Sequence, residues 1–340
     1  MQIERVQRLI YKFPSQRIAV VGDLMLDRYI WGSASRISQE APVPVVAVNR
    51  QTAAPGGAAN VLRNLSSLGA QPLAFGVIGQ DAAGDELVSL LKEQRVDTSG
   101  ILRSATRLTS EKTRIIAEHQ QVVRVDNERI EAIADADRAT LIASLRSAVN
   151  DGRIGSIIIE DYAKGMVSTE LLSEVTALGK EQDIPVALDP HPGNHATATG
   201  LTVMTPNRAE AFAMAGVYPR PSVLPVEDDT ALLDVVGQLQ DTWDPKYLMI
   251  TLGAHGMALF QNDHPVHHIP TQAREVFDVS GAGDTVIASF MLSVLAGASP
   301  AEAAAISNHA AGVVVAKVGT ATVTREELMD AFEHDEHELS

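Results

Sequence analysis

Cysteine is absent from the 340-residue chain, which excludes disulfides, thiolate metal sites and cysteine nucleophiles. The chain also lacks any long apolar run. Its N-terminus, MQIERVQRLIYKF, scatters charges among the apolar residues, unlike the unbroken core of a signal peptide, and no later run approaches membrane-spanning length. A cytoplasmic protein with no membrane partner is the expectation. A basic surplus is missing as well: the formal net charge is −16. That argues against a general nucleic-acid binder, which needs basic surface to displace counterions.

No clear linker, internal repeat or low-complexity tract interrupts the sequence. With 45% apolar residues the chain is long enough for a large core and needs no staples. The reading is one domain over residues 1–330, with an acidic tail at 331–340 that frays. The Pro-rich stretch 217–229 reads as a surface loop. Histidines are frequent, but no HExxH spacing occurs, and His267 with His268 sits in a strand-like stretch.

Against these absences, the segment DVSGAGDTVIASF (278–290) stands out. Gly281 and Gly283 bracket Ala282 just before an apolar-periodic run through Val286, Ile287, Phe290 and Met291, which predicts the first turn of a buried helix. Amides there lack intrahelical partners, and with the helix dipole they favour an anion, which glycines let approach closely. Asp284 sits beside this cradle, where a carboxylate can take the proton of an attacking hydroxyl. The same residues also suit a bare tight turn with a capping Asp. The dinucleotide fingerprint fails because Val286 stands at its sixth position, and the P-loop fails because Asp284 stands where a Lys belongs.

Short Val- and Ile-rich runs alternate with helical patterns, which predicts an α/β fold: a doubly wound, mostly parallel sheet with helices on both faces. Ligands in such sheets bind beyond the carboxyl ends of the strands. Polar clusters follow the runs at those ends: Asp23 and Asp27 after IAVVG, Asp161 and Lys164 after SIIIE, and Asp189 and His191 after PVAL. Asn207 and Glu210 follow LTVMT, Thr251 and Gly253 close and follow YLMI, and FDV leads into the cradle. Six clusters along one edge are hard to attribute to solubility alone. Residues 43–48 and 112–126 break the alternation and read as parts of a small β lid, with segments near 28–55 and 105–127. A lid excludes water from a transfer reaction, and its sheet edge offers a surface for a homodimer.

GGAANVLRNLSSLGA (56–70), VIGQDAAG (77–84) and DVSGAGDTVIASF together resemble the two signatures of the ribokinase-like carbohydrate kinases, the PfkB family, over nearly the whole chain. RISQEAPVPVV (36–46), PGGAAN, KTRIIAEHQQVVRVD and DYAKG (161–165) resemble, more narrowly, the kinase part of the bacterial ADP-heptose synthesis enzymes.

The resemblance implies transfer of the ATP γ-phosphate to a sugar hydroxyl, with Asp284 as base and Gly281, Ala282 and Gly283 as anion hole. Asn207 and Glu210 match the family's NxxE, whose carboxylate organises Mg²⁺ and its water. Thr251, Gly253 and Asn308 fall where relatives meet the nucleotide, and Asp27, Gly57 and Asn60 where they hold the sugar. Arg124, Asp126 and Lys164 would meet a heptose phosphate, and some relatives hold a monovalent cation near Asp278 and Ser280. Because the chain is so acidic, positive potential for such substrates must be gathered locally.

Bland roles exist for each: helix packing for Gly57, a local turn bond for Asn60, a first-turn acid for Glu210, and surface ion pairs for Lys164 and Arg124. The chain departs from the narrower pattern at His191, where a Lys is expected, and it carries no HxGH motif after the kinase region. The expected activity is therefore a monofunctional kinase acting on the anomeric hydroxyl of D-glycero-β-D-manno-heptose 7-phosphate, alongside a separate nucleotidyltransferase. A fructose- or ribose-type kinase, a non-catalytic nucleotide-binding regulator and a dehydrogenase are the alternatives.

Overall fold

The computed structural model describes residues 1–118, 120–262, 264–273 and 275–339. Its strands are β1 (Arg17–Gly22), β2 (Leu24–Ile37), β3 (Pro44–Gly57), β4 (Gln71–Gly79), β5 (Asp97–Ser104), β6 (Ser110–Ala117) and β7 (Gln120–Asn127), then β8 (Ser156–Glu160), β9 (Val186–Asp189), β10 (Val203–Met204), β11 (Tyr247–Thr251), β12 (Met257–Phe260) and β13 (His267–Ile269). The helices are α1 (Ile3–Ile10), α2 (Ala58–Ser67), α3 (Ala82–Glu93), α4 (Asp135–Asn150), α5 (Thr169–Glu181), α6 (Arg208–Met214), α7 (Thr230–Trp243), α8 (Ala282–Leu295), α9 (Pro300–Val315) and α10 (Arg325–Leu339).

The large sheet runs β13-β12-β11-β10-β9-β8-β1-β4-β5. From β11 to β5 every pairing is parallel, and β12 and β13 continue it antiparallel. A parallel strand must bury both faces, and β1 does so: Ile18 and Val20 join one core, Ala19 and Val21 the other. The first core is completed by Leu62 of α2, Phe290 of α8 and Ile306 of α9. Leu145 of α4, Val175 of α5 and Leu239 of α7 complete the second. This is the doubly wound arrangement expected from the alternating runs.

The helix starts follow their sequence signals. Ser299 caps α9 reciprocally with Glu302, with Pro300 in the first turn, and Asn207 does the same for α6 with Glu210. The second sheet has the order β3-β2-β6-β7. Its strand β2 leaves the large sheet one residue after β1 and pairs antiparallel with β3 from Leu24↔Gly57 outward, so the lid grows directly from the site edge. Among the described residues no helix is long and apolar enough to cross a membrane. The acidic stretch expected to fray enters the end of α10; Ser340 and the side chains beyond His334 lie outside the described residues.

Candidate active site

α8 begins at Ala282 behind Gly281, which adopts the left-handed conformation at φ 80°. A Cβ on Gly281 would lie 2.7 Å from Asn60 Nδ2, so both the backbone angle and the space require glycine. Asp284 follows in the first turn and is only 6% exposed. Asn60 Nδ2 donates to its Oδ2 at 2.6 Å, and the Tyr162 hydroxyl donates to its Oδ1 at 2.7 Å. Burial pushes the Asp284 pKa above the usual carboxylate range, while these two donors pull the other way. Each oxygen is therefore oriented, and a carboxyl with a raised pKa is a better proton acceptor than an exposed one.

Glu160 and Asp189 end adjacent parallel strands in register. Strand alternation turns both toward α8, because Ile158 and Ala187, two residues back, lie in the α8 core. Oxygens of Glu160, Asp189 and Asp284 lie within 4.8 Å of one another. Asp189 accepts from Thr205 Oγ1 at 3.0 Å, whereas Glu160 is fully buried and neither of its oxygens has a partner among the described residues. Burial raises the pKa of Glu160 well above its ordinary range, with the charges of Asp189 and Asp284 adding to it. Asp189 is raised for the same reason, by burial and then by Glu210 and Asp284. A clustered, largely buried, all-oxygen set with one orphaned member, Glu160, suits a hard divalent cation.

At the next strands, Asn207 Oδ1 accepts from the Glu210 amide at 2.9 Å and Glu210 Oε2 accepts from the Asn207 amide at 2.8 Å. Burial raises the Glu210 pKa. Thr251 closes β11 and bridges to Asn207. Gly253 turns at φ 59° with open space where a Cβ would be. Asn308 is 4% exposed and its Nδ2 donates to the Pro270 carbonyl at 2.5 Å, so that amide is already engaged. The Asp278 carboxylate is engaged too, by the amides of Ser280 at 2.9 Å and Gly319 at 3.1 Å.

On the lid side, Asp27 Oδ1 accepts from Arg114 Nη1 at 2.5 Å, and a Cβ on Gly56 would strike the Asp27 carboxylate. Gly57, at φ 57°, starts α2 and so places Asn60 against Asp284. The structure thus brings Asp27, Gly57, Asn60 and the Gly281–Asp284 turn together. Arg124 and Asp126 instead pair with each other through two 2.8 Å bonds, and Lys164 pairs with Glu128 at 2.6 Å.

Three residues with direct roles in this geometry were not singled out from the sequence, Glu160, Tyr162 and Arg114, and Asp23 was placed in a strand-end cluster without a role. The 3% exposed Asp23 accepts from the amides of Tyr162, Lys164 and Met166 at 3.0, 3.1 and 3.1 Å and so fixes the loop after β8. That loop carries Asp161, whose pKa burial lifts to about 6 against the opposing bonds from Ala163 and Asn194. The available signals were a Glu closing a run of three isoleucines and a Tyr one step beyond Asp161.

A buried acid at a helix start, facing the carboxyl edge of a doubly wound sheet under a β lid, defines a phosphotransferase of the sugar kinase class. Comparison with known proteins agrees: the model of the pfkB family of carbohydrate kinases matches residues 15–327, and the chain belongs to that family. It is 40% identical over 338 residues to the bifunctional protein HldE of Geobacter sulfurreducens, covering 99% of this chain and 67% of the relative. To the protein of the same name from Mesorhizobium japonicum it is 42% identical over 329 residues, covering 97% and 64%. The chain thus spans about two thirds of the length of these relatives. Arabidopsis thaliana ribokinase, solved with ribose and ATP, shares the fold at TM-score 0.71 and 18% identity, covering 94% of this chain and 99% of that one. Escherichia coli phosphofructokinase-2 with potassium does so at TM-score 0.72 and 18% identity, covering 94% and 98%.

Proposed function

We propose that the chain is an ATP- and Mg²⁺-dependent kinase that phosphorylates the anomeric hydroxyl of D-glycero-β-D-manno-heptose 7-phosphate, giving the 1,7-bisphosphate for ADP-heptose synthesis. The observation that carries the reaction is the oriented, buried Asp284 at the mouth of α8. The similarity to the HldE proteins supports the acceptor.

In this reading Asp284 takes the proton of the sugar hydroxyl as that oxygen bonds to the γ-phosphorus. The bond from phosphorus to the β,γ-bridging oxygen then breaks, and ADP leaves. Ala282 N–H closes a turn onto the Val279 carbonyl at 3.2 Å, so holding the migrating group falls to the amides on either side of it. Thr251, Gly253 and Asn308 line the nucleotide side, the last by shaping the Pro270 turn. Asp27, Gly57 and Asn60 hold the sugar. Glu210 would hold Mg²⁺ through water, and the oxygen-only neighbours Asp189 and Glu160 fit such an ion; when bound, it supplies positive charge to the phosphate oxygens.

Exposed Val43, Val48, Val122, Val123 and Val125 on the lid support a homodimer through that sheet, which light scattering of the eluting protein tests. Omitting potassium from the assay tests a monovalent site near Asp278.

The deciding experiment measures ADP release across heptose 7-phosphate, unphosphorylated heptose, fructose and ribose. Turnover on neutral sugars alone overturns the heptose assignment in favour of a fructose- or ribose-type kinase. Asp284→Asn is expected to lower kcat by about 10³-fold or more with ATP affinity nearly intact. Near-full turnover in that variant would remove Asp284 from the base role.

A further inference from the structure

Both side chains that donate to Asp284 stand on backbone fastened to one residue, Asp23. It fills the single step between β1 and β2, where the large sheet ends and the lid begins. Its N–H donates to the Glu160 carbonyl at 3.2 Å, and its own carbonyl accepts from the Ala58 amide at 3.1 Å. Ala58 opens α2, so that bond seats the turn from which Asn60 reaches Asp284. The fit is close: a Cβ on Gly57 would lie 2.5 Å from the same carbonyl oxygen.

The side chain of Asp23 serves the other donor. Residues 161–168, between β8 and α5, form no regular element, so their amides have no ladder or helix to bond. Asp23 Oδ2 accepts the N–H groups of Tyr162 and Lys164, and Oδ1 accepts that of Met166. Three alternate amides thus converge on one carboxylate. The wrap requires unusual backbone at the residues between them: Ala163 has φ 53° and Gly165 φ 92°, and a Cβ on Gly165 would lie 2.1 Å from the Glu131 carbonyl oxygen. Arg107, from the connection between β5 and β6, closes the anchor. Its Nη2 donates to the Lys164 carbonyl at 2.7 Å and lies 4.0 Å from Asp23 Oδ1.

Tyr162 is held at both ends, by Asp23 at its amide and by Asp284 at its hydroxyl. A rigid ring joins the two bonds, so a backbone shift at 162 carries the hydroxyl with it. Asp23 itself makes no hydrogen bond to Asp284 among the described residues, and any effect it has on the acid passes through the residues it holds.

We propose that Asp23 is a positioning residue for the transfer step: its carboxylate holds the Tyr162 backbone so that the hydroxyl stays on Asp284 Oδ1, while its carbonyl seats α2 for Asn60. The inference rests on Asp284 as the base. A role in stability alone is the rival, and the two part company once the Tyr162 hydroxyl is removed.

The test is a double-variant cycle on wild type, Asp23→Asn, Tyr162→Phe and the two combined. For each, kcat is measured at saturating ATP and the acceptor sugar that gives the fastest ADP release, together with the affinity for a non-hydrolysable ATP analogue and the melting temperature. Asparagine keeps the shape and one acceptor oxygen, so the loop loosens without three orphaned amides. Asp23→Asn should lower kcat by about 10-fold, no further than Tyr162→Phe does, with the analogue's affinity nearly intact. In the double variant kcat should match Tyr162→Phe alone within about 2-fold. The drop in melting temperature caused by Asp23→Asn should be the same in both backgrounds, because the amides lose their acceptor whether or not the hydroxyl is present. Should Asp23→Asn fail to fold, Asn194→Ala loosens the same loop from its other side, where Asn194 Nδ2 donates to Asp161 Oδ2 at 2.7 Å and to the Val167 carbonyl at 2.8 Å. It should give the same pattern.

The proposal is overturned by wild-type kcat in Asp23→Asn, by wild-type kcat in Tyr162→Phe, or by losses that multiply in the double variant. With Asp284→Asn inactive, any of these results sinks this inference alone. Near-full turnover in Asp284→Asn instead removes the base reading on which it rests.

Discussion

Asn60 Nδ2 lies 2.6 Å from Asp284 Oδ2 and joins the first turns of two helices, α2 and α8, across a sequence separation of 224 residues. Both turns start behind a glycine at positive φ, Gly57 and Gly281, and Arg63 Nη1 holds the Asn60 oxygen from behind at 3.0 Å. The amide is thus fixed with its donor toward the acid.

Asn60→Ala removes a donor that stabilises the ionised form of Asp284, so its pKa rises further above the usual carboxylate range. Only the ionised form accepts a proton. The acidic limb of the kcat/KM profile should therefore move to higher pH, and kcat at neutral pH should fall by about 10-fold or more. An acidic limb that stays in place shows that Asn60 does not tune this group.

Tyr162→Phe takes away the other donor, at 2.7 Å from Oδ1. Burial and the neighbouring Asp284 charge hold the Tyr162 pKa well above its ordinary value, so the phenol stays a donor throughout the assay range. The acidic limb should move in the same direction as for Asn60→Ala. In the double variant the two losses should not add, because both act on one carboxylate. A change confined to the alkaline limb would mean that Tyr162 itself titrates during turnover.

The start of α8 was legible because Gly281, Ala282 and Gly283 precede an apolar period with an acid in its first turn, and local sequence alone dictates that geometry. The NxxE spacing of Asn207 and Glu210 was legible as well, read as a cation-organising pair, and in the structure the two residues also form a capping box. What could not be read is pairing that depends on register or on distant contacts. Arg124 and Lys112 are equivalent cations in sequence, and only the β6–β7 ladder decides that Arg124 is neutralised. Asn308 lies on a helix readable from its start, yet its amide meets a carbonyl 38 residues away. Glu160 closes an isoleucine run like any edge residue until β9 sets Asp189 beside it and α8 covers both.

Gly281→Ala and Gly253→Ala form a controlled pair. Both glycines have positive φ, 80° and 59°, but only the Cβ at 281 meets an atom, Asn60 Nδ2 at 2.7 Å, whereas at 253 nothing lies within 4 Å. Each variant should lose about 1 kcal/mol of stability to the backbone angle. Gly281→Ala should lose more and also depress kcat by displacing Asn60. Equal melting temperatures and equal activities in the two variants would show that the Asn60 contact carries no weight.

Glu160→Gln tests the electrostatics of the buried edge. Glu160 and Asp189 have folded-state pKa values well above their ordinary ranges, from burial first and from neighbouring carboxylates second, and Asp284 is raised by burial. A carboxyl whose folded pKa is raised binds more protons in the native than in the unfolded state. Stability is therefore full below the unfolded value near pH 4 and declines as pH rises from there toward the folded value. Glutamine keeps the shape of Glu160 without a charge, so the variant should be more stable than wild type at pH 8, by about 1–3 kcal/mol. Its melting temperature should also decline less between pH 5 and pH 8, and the gap between the two proteins should close at low pH. Mg²⁺ opposes the same repulsion from outside, so adding it without nucleotide at pH 8 should raise the melting temperature of wild type more than that of the variant. Thermal unfolding across this pH range, with and without Mg²⁺, measures both effects. A variant less stable than wild type at pH 8 would show that Glu160 has a favourable partner and that the repulsion at this edge is already relieved within the protein.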